Sequence, residues 1–289
     1  MFKDVLTSDA ARVQAHLQTV LAGQTTLPVI EGMRYAVAGG KRLRGFLVME
    51  SARLHGVPEA QSVWAASAIE AIHAYSLVHD DLPCMDDDDL RRGQPTVHRK
   101  WDEGTAVLVG DALQTLGFEL VLDPACHGDA SVRADLALSL AQASGRAGMV
   151  MGQALDIAAE SADAPLTLAQ ITDLQAGKTG ALIVWSAEAG ARLAQADRAP
   201  LTRYATALGL AFQIADDILD IEGDETTVGK AVGKDADRGK ATFVSLLGLD
   251  GAKRRARDLV AEACDALSPY GARANTLNDA AQFVISRDT

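Results

Sequence analysis

Apolar residues recur three and four positions apart along most of this chain. That spacing predicts amphipathic helices over residues 60–80, 103–122, 130–160, 168–196, 201–221 and 251–267. The two-residue alternation of a half-buried strand is nearly absent. Pro28, Pro58, Pro124, Pro165, Pro200 and Pro269 fall mostly between these stretches and read as punctuation. Thr167 is placed to cap the helix that begins at Leu168, and Thr7 or Ser8 to cap the first helix. No fixed-period repeat, low-complexity tract or Gly/Ser linker interrupts the pattern. The expectation is an all-α protein, one compact helical domain spanning residues 1–289. The stretch from Gly223 to Lys240, rich in glycine and poor in apolar residues, reads as a functional loop outside the core.

Composition sharpens that picture. Hydrophobic residues make up 48% of the chain and aromatics only 4%, so the core is expected to pack through alanine and aliphatic side chains. With 27 basic against 39 acidic residues, the formal charge is −12. Such a chain repels nucleic acid and anionic lipid over most of its surface. An anionic ligand must then be drawn in by a local cluster of cations, or by metal ions held on carboxylates. Cys84, Cys126 and Cys264 are odd in number and match no zinc spacing, which fits a reducing cytoplasm. The N-terminal residues lack the apolar core of a signal peptide, and no uncharged apolar run is long enough to predict a membrane span.

Two carboxylate clusters stand out. Residues 79–92 read HDDLPCMDDDDLRR. Acidic runs are often solvated loops. This one, however, ends a helix whose apolar pattern reaches the first aspartates, where the helix dipole favours cations. That cost is explained if a cation sits there. The second cluster, FQIADDILDIEGD at residues 212–224, puts Asp216 and Asp220 on one helical face, with Asp217 pointing elsewhere. The competing reading is a polar outer stripe on an amphipathic helix. Taken together, two aspartate-rich helix ends facing each other across a bundle would suit Mg²⁺, which takes one or two carboxylates per site and keeps open positions for phosphate oxygens.

Cations accompany the acids. Gly39-Gly40-Lys41-Arg42-Leu43-Arg44 sets three cations behind a glycine pair, either a solvated turn or an anion site. Arg91 and Arg92 either pair with Asp86 to Asp89 or clamp phosphate with their planar forks. Lys178-Thr179 interrupts an apolar stretch, and Lys230, Lys234 and Lys240 lie in the glycine-rich loop. No Walker loop is present. His73 shares a helical face with Asp80, and a buried, satisfied histidine is the plain alternative.

In order along the chain, GGKRLR, HDDLPCMDDDDLRRG, KTGAL, FQIADDILD and GKAVGKDADRGKAT resemble the trans-isoprenyl diphosphate synthases, most closely the bacterial farnesyl diphosphate synthases. The likeness runs from about residue 30 to 285. It implies an all-α bundle of about ten or more helices around a deep central cavity, working as a homodimer. By motif, Asp80, Asp86 and Asp216 would ligate three Mg²⁺ ions, with Mn²⁺ a substitute, and Asp81 and Asp220 would support them. Arg91, Lys178, Lys230 and Lys240 would grip the allylic diphosphate. Lys41, Arg44, His73 and Arg92 would bind isopentenyl diphosphate. Phe212 joins the substrate-binding set, and Thr179 and Gln213 would stabilise the allylic cation. The implied reaction is head-to-tail condensation of isopentenyl diphosphate with an allylic diphosphate. Neither nucleic acid nor an integral membrane is an expected partner.

The chain departs from the family pattern at Gly45 and Val244, where proline is usual, and at Gln175, where histidine is common. Tyr75 and Ser76, just before Asp80, are the expected chain-length determinants. An aromatic residue at Tyr75 implies a fifteen-carbon farnesyl product, with the twenty-carbon geranylgeranyl product as alternative. Rival readings are a terpene cyclase, which the DDILD form of the second motif disfavours, and a catalytically dead regulatory subunit, which the intact ligand positions disfavour.

Overall fold

The structure is a computed structural model that describes residues 2–23, 26–162, 164–222 and 241–286. The architecture is all-α, as the periodicity predicts, and it divides into two compact units. The first comprises residues 3–140 and 189–196; the second takes Phe2 with the described residues of 141–188 and 197–289.

In the first unit, α1 (Phe2–Val20), α2 (Pro28–Ala36), α3 (Leu43–Leu54) and α4 (Glu59–Asp80) precede α6 (Glu103–Leu122). Pro28 opens α2, where its missing N–H costs nothing, and Pro58 is the N-cap of α4. α4 is the spine. Ala65, Ala66, Ala68, Ile69, Ala71 and Ile72 are fully buried, and small residues let α3 and α6 approach closely on either side. On α6, a Cβ at Gly110 would lie 1.9 Å from the His79 ring, and one at Gly117 would lie 2.7 Å from Ile72. α6 is, among the described residues, the one helix long and apolar enough to cross a membrane by length and composition. It instead buries Val109, Leu113, Leu116 and Leu120 against its neighbours and exposes Asp111 and Glu119. A short helix, α5 (Val97–Lys100), and a two-strand hairpin, β1 (Leu90–Arg91) with β2 (Gln94–Pro95), join α4 to α6. The pattern of apolar residues gives no sign of these strands.

The second unit holds the end of α7 (Ala130–Ser144), α8 (Met149–Glu160), α9 (Leu168–Gln175), a π-helical turn (Ala176–Gly180) and α10 (Ala181–Leu193) as far as Glu188. It continues through α11 (Ala199–Glu222), α12 (Phe243–Leu247), α13 (Leu249–Ala266), a 3₁₀ stretch (Ser268–Ala274) and α14 (Asn275–Ser286). α11 packs along α13, whose buried face is Ala252, Ala256, Leu259, Val260 and Ala263. Tyr204 of α11 is fully buried and donates its hydroxyl to the Leu277 carbonyl on α14, at 2.8 Å.

Local expectations divide. Thr167 caps α9 in a capping box with Gln170, as its position before Leu168 predicts. Thr7 and Ser8 do not cap α1. That helix already begins at Phe2, and the Thr7 hydroxyl donates back to the Lys3 carbonyl one turn earlier. The stretch 130–160 is two helices, broken at Gly145–Gly148, and 168–196 is interrupted by the π-turn and ends at Leu193. In both places apolar spacing continues through the break, so periodicity alone does not reveal it. The Gly223–Lys240 loop lies outside the described residues.

Candidate active site

α4 ends at Asp80, and Asp81 is its C-cap. The loop beyond folds straight back, because the Asp86 N–H donates to the Asp80 carbonyl at 2.8 Å. Asp80 and Asp86 are thereby brought together at the carbonyl end of the helix, both half-buried. Among the described residues, no three acidic, histidine or cysteine side chains converge as a ready-made metal cage. The donors are nonetheless of the right chemistry for Mg²⁺: hard carboxylate oxygens at a helix end that favours cations.

Asp81 is used differently. It is buried and accepts from Arg91 Nε at 2.9 Å, with a second, closer contact to Nη2; Asp88 lies 3.3 Å from the same nitrogen. Burial pushes the Asp81 carboxyl up from its ordinary value, and Arg91 pulls it back. Arg91 therefore binds chiefly the helix end, and pairs with Asp88 of the acidic run as well. The hairpin that carries it turns through Arg92 and Gly93, at φ 54 and 73. Both angles are positive, as a tight two-residue hairpin turn requires. Thr96 closes the hairpin by donating its N–H to the Asp89 carbonyl at 3.0 Å.

Arg92 reaches across to the glycine pair. Its guanidinium occupies the space where Gly40 lacks a side chain: a Cβ there would lie 2.6 Å from Nη1. Lys41 is exposed and Arg44 half-buried, while Arg42 is buried. Arg44, Arg92, Arg91 and Arg42 all act on the half-buried His73. Desolvation first, and then these four positive charges, hold its imidazole well below its ordinary value, so it is neutral near pH 7. His73 is thus a neutral group under the positive field of nearby arginines. Two residues further along α4, Tyr75 is buried; desolvation raises its phenol and the Asp80 charge adds to that rise. The Ser76 hydroxyl donates to the His73 carbonyl at 3.0 Å.

The second unit gathers another group. Lys178 and Thr179 lie in the π-turn, a distortion that re-aims side chains and recurs at functional sites. Lys178 Nζ pairs with Asp156 of α8 at 2.7 Å. The turn packs against α8 and α11. At Gly152 of α8 a Cβ would lie 2.0 Å from the Lys178 backbone nitrogen. Phe212, Gln213 and Asp220 are half-buried on α11, and Asp216 is exposed. Asp217, read as pointing away from the other two, accepts from the Phe243 N–H at 2.6 Å and so fixes the start of α12. Lys230, Lys234 and Lys240 lie outside the described residues. Val244 sits buried in the first turn of α12.

Several residues of this site escape the sequence reading. Asp156 is the partner of Lys178, and its signal was a lone acid in the apolar stretch MVMGQALDIAA. Glu70 accepts from the Gly45 N–H at 2.8 Å and faces Arg42 at 3.7 Å. It looks unremarkable in sequence, an acid within an apolar helix.

A family model described as polyprenyl synthetase matches residues 28–269. The farnesyl diphosphate synthase of Haemophilus influenzae is 43% identical, over 99% of this chain and 98% of that protein. That of Escherichia coli K12 is 46% identical, over 90% of each. The apo crystal structure of a FPP/GFPP synthase from Zymomonas mobilis superposes with a TM-score of 0.87 at 45% identity, covering 96% of this chain and 98% of that one. With its ordered aspartate and arginine motifs, the chain belongs to the polyprenyl synthetase family.

Proposed function

We propose that this protein is a farnesyl diphosphate synthase, a prenyltransferase that condenses isopentenyl diphosphate with dimethylallyl or geranyl diphosphate. One observation carries the reading. The positive charges of Arg44, Arg91 and Arg92 act on His73, which lies on the same helix whose end bears Asp80 and Asp81. Cations suited to an anion would thus act beside carboxylates suited to Mg²⁺, as a diphosphate enzyme needs.

The roles follow from chemistry. Asp80, Asp86, Asp216 and Asp220 would hold Mg²⁺, with Asp81 fixing Arg91 beside them. When bound, Mg²⁺ supplies charge to stabilise the departing diphosphate. Arg91 and Lys178 bind the allylic diphosphate, and Lys230 and Lys240 complete the proposed set. Lys41, Arg44, Arg92 and the neutral His73 bind isopentenyl diphosphate, His73 as a hydrogen-bonding group that adds no charge. Thr179 and Gln213 turn oxygen dipoles toward the allylic cation, and Phe212 contributes apolar wall. The alkene of isopentenyl diphosphate then attacks the cation, and a proton is lost to released diphosphate. Water has to be excluded, because it would quench the cation. No nucleophilic side chain is required.

Tyr75, buried one turn before Asp80, sets the fifteen-carbon product by blocking chain growth. A homodimer fits the exposed apolar residues of α6 and α8, namely Val107, Leu108, Val150, Met151 and Leu155. A cytoplasmic setting suits three free cysteines. The test is incubation of labelled isopentenyl diphosphate with each allylic diphosphate, with Mg²⁺ or with chelator, followed by product sizing. A farnesyl product that vanishes on chelation supports the reading. Hydrocarbon formed from farnesyl diphosphate alone would replace it with a cyclase.

A further inference from the structure

We propose that Gln14 and Glu70 are positioning residues: acting through the buried Arg42 guanidinium, they lock the basic turn that presents Lys41 and Arg44 to a diphosphate. The proposal rests on the reading above, in which Lys41 and Arg44 bind isopentenyl diphosphate.

Sequence alone makes Lys41, Arg42 and Arg44 look equivalent. The structure separates them. Arg42 points inward and is 6% exposed. It donates to the Val37 carbonyl and to Gln14 Oε1, and its Nη1 lies 3.7 Å from Glu70 Oε2. Lys41 remains exposed and Arg44 half-buried. Arg42 is therefore a strut, while Lys41 and Arg44 are the proposed anion ligands.

The turn needs a strut because its backbone is strained. Gly39, Gly40 and Arg42 have φ of 72, 86 and 50. The third is a left-handed conformation at a residue with a side chain, which persists only where surrounding contacts impose it. Arg42 is also the N-cap of α3, yet its side chain makes no capping bond to the helix. Those contacts come from two helices. Gln14 of α1 accepts from the Gly39 N–H at 3.3 Å as well as from Arg42. Glu70 of α4 accepts from the Gly45 N–H at 2.8 Å as well as facing Arg42. The turn is thus tied before, within and after its two proposed anion ligands. The last tie requires an N–H at position 45, which this chain retains by having glycine where the family pattern has proline. A turn held in its working geometry loses little freedom when the diphosphate arrives, so the lock appears in substrate affinity.

The experiment compares Gln14→Leu, Gln14→Glu, Glu70→Gln and Lys41→Ala in steady-state assays with both substrates varied, alongside thermal unfolding. Gln14→Leu should raise KM for isopentenyl diphosphate about tenfold, as expected when a binding group is misplaced rather than removed. kcat and the allylic KM should stay within about twofold, since neither substrate constant is otherwise touched. Gln14→Glu, which keeps both acceptor contacts, should restore the native KM. Glu70→Gln should move the same constant, because it weakens the hold on Arg42 while keeping an acceptor for Gly45. A Gln14→Leu protein that folds and keeps its native KM, while Lys41→Ala raises it, overturns the lock and leaves the binding site intact. If Lys41→Ala leaves that KM unchanged, the assigned binding site is wrong and the lock falls with it.

Discussion

Gly152→Ala should cripple turnover without replacing any proposed substrate ligand. Gly152 is on α8, where that helix crosses the π-turn. Its added Cβ would lie 2.0 Å from the Lys178 nitrogen, 2.5 Å from the Lys178 Cα and 2.6 Å from the Gly177 carbonyl carbon. All three are backbone atoms, so no side-chain rotation relieves the clash. Relaxation to ordinary contact moves the turn, and with it Lys178 and Thr179, by roughly 1 Å or more, since buried carbons pack at about 3.5–4.0 Å. A displacement of that size at a reacting centre costs about a hundredfold in rate. Overpacking also destabilises the fold by about 1–3 kcal/mol. The assay is kcat with saturating substrates, paired with thermal unfolding to show that the variant is folded at the assay temperature. A folded Gly152→Ala enzyme with kcat within twofold of the parent would show that the π-turn does not set the chemistry.

Four further predictions follow. Gly45→Pro removes the N–H that Glu70 accepts; about 2 kcal/mol for a bond to a charged acceptor, offset by less than about 1 kcal/mol of chain entropy, leaves a net loss measurable by urea unfolding, and a gain in stability would refute the role of that bond. Asp217→Ala leaves the Phe243 N–H without its acceptor and should lower stability by about 1 kcal/mol, again by urea unfolding, with an unchanged midpoint as the contrary result. His73 refuses a proton that the unfolded chain accepts, so stability present above the ordinary value of 6.5 is lost as pH falls below it, by up to about 1.4 kcal/mol per pH unit. His73→Gln should flatten that part of the stability–pH curve, and equal slopes in both proteins would count against it. Tyr75→Ala should lengthen the product beyond fifteen carbons by chromatography; an unchanged profile would remove Tyr75 from chain-length control.

Much of this protein could be read from its sequence. α4 and α6 fall at residues 59–80 and 103–122 because long apolar, alanine- and leucine-rich runs free of proline and too long for strands leave little choice. The order of the motifs gave the family, and their charge gave the chemistry. Tertiary structure decided what identical side chains do. Arg42 and Arg44 sit two residues apart, yet one is a buried strut and the other a candidate ligand. Asp216 and Asp217 are adjacent, yet Asp217 anchors the start of α12. The break in 130–160, the π-turn at Lys178 and its pairing with Asp156 left no periodic trace. Periodicity reports only which face of a helix is apolar. The role of a charge depends on which partners lie within hydrogen-bonding distance, and chain neighbours distant in sequence supply those partners only after folding.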